Sequence, residues 1–486
     1  MGIRCWVGLP ILPLKFVASL HLPSHRVARY FILVSIILEI NVLLLQRASA
    51  FEGSAGYGQD TYHWSSSSAQ SSACTVEPAT TQDVGTILQI LGRTRTPFGV
   101  KSGGHTANPG FSSSPGVLIA MSRFNTVQYD PVSQTATIGT GLIWDDVYDA
   151  LAPYNVNVVG GRESGVGVGG LTLGGGYSWL SGQYGLTIDT VTAFELVKPD
   201  GTVATVTEQS DSELFFGLKG IVTRFTLKTF PQTAIWGGTI VYTLLSIPEV
   251  TKAVVKFAAT NTDPKASIAA SYGCVALVPF SIVLLFYDAP TPPQGMFDDF
   301  FKTLLYSSDV RQRSFSNFVK STPANSTANT RGVFQTVPIL TYSEPVMDTI
   351  VGQNQFWCAQ ELLATGPFVL YIAEPIMPNI LNHTTSPSAY PPTRNQAFSP
   401  FNIHFGWVLE LLDPVAIQNI KTSANVIRNA AIADGQDLSS APMYPNYALY
   451  DTPLQQMYGG NVARLSALRA RVDPTNVMGL AGGFRF

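Results

Sequence analysis

Over residues 74–231 the spacing of apolar positions changes repeatedly between the period of a helix and that of a strand. Apolar residues recur at helical spacing over 81–91 and 143–151, each run opening with polar or acidic residues, which predicts two helices. Short β-branched or alternating runs predict strands, over 97–100, 116–120, 126–129, 135–138, 156–159, 190–198 and 203–207. Single helices among short strands are typical of an α+β domain.

Beyond Pro231 the predicted elements become longer. The pattern predicts strands over 239–244, 267–272 and 282–287, an amphipathic helix over 248–260 and the longest helix over 415–433. A stretch rich in Pro, Ser, Thr and Asn predicts a surface loop over 375–400. We therefore divide the chain into a first domain, a second domain and a C-terminal element, over 62–231, 232–440 and 441–486.

The first fifty residues have a different composition. Apolar runs at 31–38 and 42–45 precede Ala48-Ser49-Ala50, which has the small residues that a signal peptidase accepts. These runs are too short and too interrupted for a membrane span, so we predict a leader over 1–50 that directs the chain into the secretory pathway. Because about 29 residues precede the first run, an uncleaved anchor and a mispredicted extension are the alternatives.

Composition restricts the possible partners. Charged residues make up 13% of the 486 residues, the net charge is −3 and there is no run of Lys or Arg, so we predict no nucleic-acid partner. The histidines are scattered and lack a nearby set of Cys or carboxylate residues, which predicts no metal. We expect a monomer that acts on a small molecule.

Cysteines and glycosylation sequons add little. Three cysteines follow the leader, Cys74, Cys274 and Cys358, so at most one disulfide can form. We favour the interpretation that all three are small buried hydrophobic side chains. Asn325 and Asn382 each begin an Asn-x-Ser/Thr sequon, which is a glycosylation acceptor if the chain is secreted.

Two glycine-rich segments carry the candidate chemistry. In the first, Lys101-Ser102-Gly103-Gly104-His105, a histidine ends a glycine turn. In the second, seven of the twelve residues 165–176 are glycine, and Tyr177 follows. A backbone without Cβ atoms approaches a ligand closely and directs several N–H groups at one anion, as a cofactor diphosphate requires.

The content of these segments resembles the flavin-binding half of the berberine-bridge-enzyme-like FAD-linked oxidases, within the vanillyl-alcohol-oxidase/p-cresol-methylhydroxylase (PCMH) superfamily. Residues 97–105 are similar to that family's pyrophosphate loop, 166–170 to its second glycine loop and 184–191 to its adenine-side segment. Residues 444–447 and 458–477 resemble its closing C-terminal element. The resemblance is strong over 62–231, good over 441–486 and an outline between them.

This resemblance implies a two-lobed PCMH-type FAD-binding domain and an α+β substrate domain with a large antiparallel sheet. It implies FAD that is covalently attached through His105 only, because Glu163 stands where some members have a second tethering cysteine. The cofactor-binding residues that it implies are Val100, Lys101, Ser102, Gly103, Gly104, His105, Thr106, Gly165, Val166, Gly169, Gly170, Leu173, Gly174, Tyr177, Tyr184, Ile188 and Val222.

The implied activity is that of an oxidase that takes hydride from a small alcohol, amine or secondary-metabolite intermediate, with O2 as acceptor and H2O2 as product. As base we favour Tyr444, with Tyr447 second and Asn446 as the orienting residue. A phenol is a poor base unless a hydrogen bond or a positive charge stabilises the phenolate, and the sequence identifies no such partner. A packing role for both tyrosines has nearly equal weight.

One departure from the family pattern keeps other functions open. After the helical Ser-Glu-Leu-Phe motif the chain is about six residues shorter than its family, so we expect almost no loop at Lys219–Ile221 and weakened flavin binding. A flavin-poor, non-enzymatic binding protein and a carbohydrate oxidase on the same scaffold are therefore alternatives. A nicotinamide site is rejected, because the three glycines after Leu173 argue against the helix that a Rossmann fingerprint requires.

Overall fold

The computed structural model describes residues 49–486, apart from 219, 276, 365–367 and 385. It has the predicted mixture of helices and strands, with three main sheets. The first sheet has four strands, in the spatial order Ser49–Ala50, Cys74–Val76, Val117–Ala120 and Phe98–Lys101. Tyr57–Thr61 and Thr81–Thr94 are its helices. The second of these begins with a capping box, in which the Thr80 hydroxyl accepts the Asp83 N–H and the Asp83 carboxylate accepts the Thr80 N–H.

The second sheet has five antiparallel strands, and the strands predicted over 190–198 and 203–207 pair with each other in it. Its spatial order is Val127–Asp130, Thr135–Gly139, Ile221–Lys228, Val191–Val197 and Val203–Val206. The helices of this region are Trp144–Leu151, Val168–Leu173, Ser181–Tyr184 and Ser212–Phe216. The strand predicted at 156–159 is limited to Val156–Asn157, which pairs with Phe230–Pro231.

The glycine run contains a helix that the sequence did not predict. Val168–Leu173 forms six helical residues, which end at Gly174. The Rossmann alternative still does not apply, because the sheet beside this helix is antiparallel, whereas the dinucleotide-binding unit needs parallel strands.

The second domain is built on the large antiparallel sheet that the resemblance implied. Its spatial order is Ser307–Ser308, Ile235–Thr243, Val278–Tyr287, Ala266–Val275, Phe368–Ala373, Ser399–Trp407 and Arg331–Ile339, with Arg311–Arg313 also paired to the second of these. Ile247–Thr260, Glu344–Ala364 and Asp413–Ala433 are its long helices, and Asp298–Phe301 and Phe315–Lys320 are short ones. Two of the long helices confirm the patterns at 248–260 and 415–433. The third was missed because its apolar residues are spread around the helix instead of along one face.

Two expectations about this domain are wrong. Cys274 and Cys358 form a disulfide, with 5.6 Å between their Cα atoms, so only Cys74 is a free buried thiol among the cysteines of the described residues. The stretch predicted as a surface loop is largely irregular, but several of its apolar side chains are buried. They are Ile380, Leu381, Tyr390 and Phe398. We call residues 374–398 the cover loop.

The C-terminal element returns to the first sheet. It contains the helices Leu454–Tyr458 and Asn461–Val472. Val477 and Ala481 join the core beneath the first sheet, and Ala481 forms a bridge to Phe98. The Arg95 side chain donates to the Thr475 carbonyl at 2.8 Å. The first domain is therefore made from two distant parts of the chain.

Two further predictions concern segments that the structure describes only in part. The last two leader residues, Ser49 and Ala50, pair with Val76 and Thr75, and the rest of the predicted leader lies outside the described residues. The expectation of almost no loop near Lys219 is wrong, since residues 217–220 connect the helix that ends at Phe216 to the strand that begins at Ile221. Lys219 itself is not among the residues that the structure describes.

Within the described ranges, no helix has the length and apolarity that crossing a membrane would need. In the same ranges no three His, Cys, Asp or Glu side chains come together as a metal site would require.

Candidate active site

The two glycine loops lie against each other, and their glycines permit the contact. A Cβ atom on Gly103 would come within 2.6 Å of the Gly167 nitrogen, and one on Gly167 within 2.3 Å of the Gly103 nitrogen. The Ser102 hydroxyl joins them further, because it donates to the Thr140 carbonyl at 2.5 Å and accepts the Gly169 N–H at 3.2 Å. The predicted pyrophosphate loop and second glycine loop thus form one cradle.

We expect Gly103→Ala to open this cradle. The new methyl group meets backbone, which cannot rotate away, so the substitution should destabilise the fold by roughly 1–3 kcal/mol. Gly352→Ala is the matched control, because Gly352 lies in a helix and a methyl group there would have nothing within 4 Å. The control should keep or raise the melting temperature. Equal melting temperatures for the two variants would contradict the close contact.

His105 lies at the end of the first loop and is held by an aromatic ring. The Trp64 indole stacks on its imidazole at 4.6 Å between ring centroids, with the planes 17° apart. The backbone N–H of Trp64 donates to the Gly104 carbonyl at 3.0 Å, which ties this residue to the loop. The His105 Nε2 atom is enclosed without a hydrogen-bond partner among the described residues. Burial lowers the pKa of His105 to about 4, so the imidazole is neutral at ordinary pH and keeps a nitrogen lone pair.

A series of rings connects His105 to the C-terminal element. Phe334 lies 5.6 Å from Trp64 on one side and 6.0 Å from Tyr447 on the other. His404 packs on Trp64 and Phe334 at 5.3 and 4.5 Å, and burial lowers its pKa to about 3. This series brings the predicted attachment residue and the predicted base motif into one site.

The base motif itself is divided between two environments. The Asn446 side chain donates to the Tyr444 hydroxyl at 2.8 Å and to the Leu171 carbonyl at 3.1 Å, which is the orienting position that we predicted for it. Burial raises the pKa of Tyr444 to about 12. Tyr447 instead faces a charged pair. Its pKa is raised well above the ordinary value by burial and by Glu374, while Arg162 opposes that rise.

Arg162 and Glu374 form the charged pair beside Tyr447. Their side chains are 12% and 6% exposed and meet at 2.7 Å. Arg162 also donates to the Tyr447 oxygen at 3.1 Å, and the Tyr447 hydroxyl donates to Glu374 at 3.2 Å. The guanidinium lies 5.9 Å from the Trp179 ring. The cation that a tyrosine base requires is therefore present, and it contacts Tyr447.

Neither member of the pair was singled out by the sequence reasoning. A signal for Arg162 did exist, because Arg162 and Glu163 are the only charged residues between Asp149 and Asp189. Charges isolated in an apolar, glycine-rich stretch next to a cofactor loop indicate a site. Glu374 had no comparable signal, because it follows a strand 212 residues later in the chain.

The cover loop closes the site from the second domain. Tyr390 packs 5.8 Å from Tyr444, and a Cβ on Gly175 would come within 2.7 Å of the Tyr390 ring. Tyr177 meets Tyr444 edge-on at 4.9 Å. Arg394 anchors the loop through a 2.5 Å ion pair with the buried Asp189 side chain. The phenols around Tyr444 are therefore enclosed.

The other residues predicted to bind the cofactor make contacts around the two glycine loops or elsewhere in the first domain. The Lys101 side chain donates to the Gln59 carbonyl at 3.1 Å and supports the loop from behind. Gly165 donates its N–H to Asp145 at 2.9 Å, and Gly174 packs on Asn446. Tyr184 stacks on Phe230 at 3.7 Å. The remaining members are buried or partly buried around the loops, except for Gly170 and Leu173, which are exposed. The buried or partly buried ones are Val100, Thr106, Val166, Ile188 and Val222.

Two family models and a curated relative match the sequence of this chain. A family described as "FAD binding domain" matches residues 72–207, and one described as "Berberine and berberine like" matches residues 443–481. The FAD-dependent monooxygenase tpcD of Cochliobolus heterostrophus is 31% identical over 434 residues, which cover 83% of this chain and 82% of that protein. The chain belongs to the berberine-bridge-enzyme-like FAD-linked oxidoreductases.

Two solved structures of oxidases share the fold. The 6-hydroxy-D-nicotine oxidase of Arthrobacter nicotinovorans superposes with a TM-score of 0.73 at 18% identity, over 90% of this chain and 98% of that one. The glucooligosaccharide oxidase of Acremonium strictum gives 0.73 at 17% identity, over 91% and 97%. Other curated relatives match over only about half of their own length, with 51%, 52% and 47% covered.

The described residues fit the family's cofactor. Two glycine loops, packed so closely that a Cβ on either would clash, provide a cradle, and a neutral His105 with an enclosed, unpartnered nitrogen lies at its end. The cysteine position of doubly tethered members holds Glu163, so this chain has no thiol for a second tether there.

Proposed function

We propose that this family member is a FAD-linked oxidase of small organic molecules in which Tyr447 is the base. The observation that carries the proposal is the contact of Tyr447 with both Arg162 and Glu374, at 3.1 and 3.2 Å. A phenol placed between a cation and a carboxylate has both a stabiliser for its oxygen and an acceptor for its proton. Tyr444, which the sequence pattern favoured as the base, lacks direct contact with such a pair.

The glycine cradle and His105 would hold the flavin. We propose that His105 alone carries it covalently, as the histidyl linkage named for the glucooligosaccharide oxidase suggests. When bound, the flavin accepts the hydride that leaves the substrate carbon. Neutral His105 keeps the lone pair that a covalent bond needs.

Residues of this chain accept the substrate proton and pass a proton on. As the substrate O–H or N–H loses its proton, the Tyr447 oxygen accepts it and the Tyr447 hydroxyl proton passes to Glu374. Arg162 stabilises the negative charge that develops on the Tyr447 oxygen during this transfer. The buried rings of Tyr177, Tyr390 and Tyr444 exclude water from the reacting atoms.

The alternatives rank below this proposal. A carbohydrate oxidase would present aromatic rings along an open groove, whereas the rings of Tyr177, Tyr390 and Tyr444 are buried. The flavin-poor binding protein rested on the chain being about six residues shorter than its family near Lys219, and the family matches over 72–207 and 443–481 favour an FAD-linked enzyme over it. We also propose a secreted monomer, for which the Cys274–Cys358 disulfide is the support, since such bonds persist in oxidising compartments. Size-exclusion chromatography of protein recovered from culture medium tests both points.

The visible spectrum and the fate of oxygen test the proposal. We expect purified protein to show flavin absorption, and to form one H2O2 for each O2 consumed with an oxidised small alcohol or amine. Incubation under 18O2 separates this activity from monooxygenation, the activity named for tpcD. Label in the organic product would replace the oxidase proposal by oxygen insertion. Colourless protein that gains no flavin on incubation with FAD would favour the binding protein.

A further inference from the structure

Glu163 holds an unsatisfied carboxylate oxygen in the candidate active site. Its Oε2 atom is enclosed by the protein and has no hydrogen-bond partner among the described residues. Burial raises the pKa of Glu163 to about 7, and the nearby Thr322 hydroxyl, which donates its proton to the Val319 carbonyl at 2.8 Å, opposes that rise. Buried acceptors in proteins are nearly always paired, so an unpaired one beside a reaction centre indicates a missing ligand.

The backbone around Glu163 is fixed, so this oxygen has a defined position. Asp145 accepts the Ser164 hydroxyl at 2.8 Å and the Gly165 N–H at 2.9 Å. The Arg162 carbonyl accepts the Trp179 indole N–H at 3.2 Å. Three hydrogen bonds thus hold the residues on both sides of Glu163, and a ligand meets a carboxylate that is already in place.

No free positive charge among the described groups of the site compensates an ionised Glu163. Its electrostatic neighbours are Arg162 and Glu374, and it acts in turn on Tyr447. Arg162 is already paired with Glu374 at 2.7 Å, so their charges cancel. Tyr447 is a neutral phenol, and burial keeps the imidazole of His105 neutral as well. An ionised Glu163 therefore adds a negative charge that Arg162 does not cancel, and a cation would neutralise it.

We propose that Glu163 binds a basic nitrogen of the substrate, so that the substrate is a small amine whose ammonium group donates to Oε2. The inference rests on the proposed oxidase function and narrows its substrate class. A neutral alcohol of the same size would leave the carboxylate charge uncompensated. The site should discriminate between the two by the strength of one charge-assisted hydrogen bond.

Matched probes test this directly. Benzylamine and benzyl alcohol have nearly the same shape, and titration at about pH 8 keeps the ammonium charged and Glu163 ionised. Binding is followed by tryptophan fluorescence, because Trp179 lies 5.9 Å from Arg162 and the signal needs no flavin. We expect the full-length wild-type protein to bind benzylamine about 10- to 100-fold more tightly than benzyl alcohol.

Three variants identify the source of that preference. Glu163→Gln keeps the shape and removes the charge, and should bring the ratio of the two dissociation constants close to one. Glu163→Asp keeps the charge and should retain part of the preference, which covers the case in which the glutamine variant folds poorly. Glu249→Gln removes an exposed carboxylate from the helix Ile247–Thr260 and should leave the ratio unchanged.

Failure of this inference is distinguishable from failure of the oxidase proposal. Equal affinities in the wild-type protein, no measurable binding of benzylamine, or a preference that survives in Glu163→Gln would each overturn the role of Glu163. Flavin absorption and H2O2 formation with an alcohol in the same preparation would leave the oxidase intact. Protein without flavin that still prefers benzylamine would overturn the oxidase and keep the amine site.

Discussion

Replacement of Tyr447 by phenylalanine is expected to slow substrate-dependent flavin reduction by about 10²- to 10⁴-fold, the usual effect of removing a general base. The variant loses the hydroxyl that accepts from Arg162 and donates to Glu374. It keeps the ring that packs 6.0 Å from Phe334, so the fold and the flavin spectrum should be preserved. Anaerobic stopped-flow measurement of flavin reduction gives the rate of this step without the oxygen reaction.

Tyr444→Phe is the matched control for that experiment. Its hydroxyl contacts Asn446 rather than the ion pair, so we expect a smaller loss, below about tenfold. If Tyr444→Phe were slower than Tyr447→Phe, the base would be the first tyrosine of the motif. In that case the Arg162–Glu374 pair would have a structural role.

Replacement of His105 by alanine is expected to abolish covalent flavin completely. Neutral His105 is the one predicted attachment residue, and the second tethering position holds Glu163. After acid precipitation the wild-type pellet should be yellow and the variant pellet colourless. The native variant should still bind flavin, since the substitution leaves the glycine cradle unchanged.

His383→Ala is the control for this second experiment. That histidine is exposed and contacts the Gly182 carbonyl at 3.1 Å, so its loss should leave the covalent flavin untouched. A yellow pellet from His105→Ala would show that another side chain carries the bond. A colourless pellet from wild-type protein that was yellow before precipitation would show that the flavin is held without any covalent bond.

The parts of the site that are formed by one short segment of the chain could be predicted from the sequence. The loops at 101–105 and 165–176 need glycine because they touch each other closely, so composition alone indicated them. The Arg162–Glu374 pair depends on two domains meeting, and no local pattern encodes that meeting. The cover loop was misjudged for the same reason. Its proline-rich composition indicates a loop, but only the fold determines that Tyr390 packs on Gly175.

The helices and the disulfide show the same difference between features set by local sequence and features set by distant contacts. Helices with one apolar face, such as Ile247–Thr260, were predicted to within a residue or two. Glu344–Ala364 was missed because its apolar residues lie on all sides. The Cys274–Cys358 bond joins residues 84 positions apart, and such a pairing cannot be deduced from three cysteines in one sequence.

The return of the C-terminus to the first sheet determines the order in which the protein can mature. Ala481 bridges to Phe98, and Val477 fills the core against the helix Thr81–Thr94, so the first domain lacks part of its interior until residues 477–481 have been synthesised. The large antiparallel sheet is formed by residues 235–407, which are contiguous in sequence, so it can form before residues 477–481 have been synthesised. We therefore expect a chain that stops before Val477 to present the glycine cradle on an incomplete core.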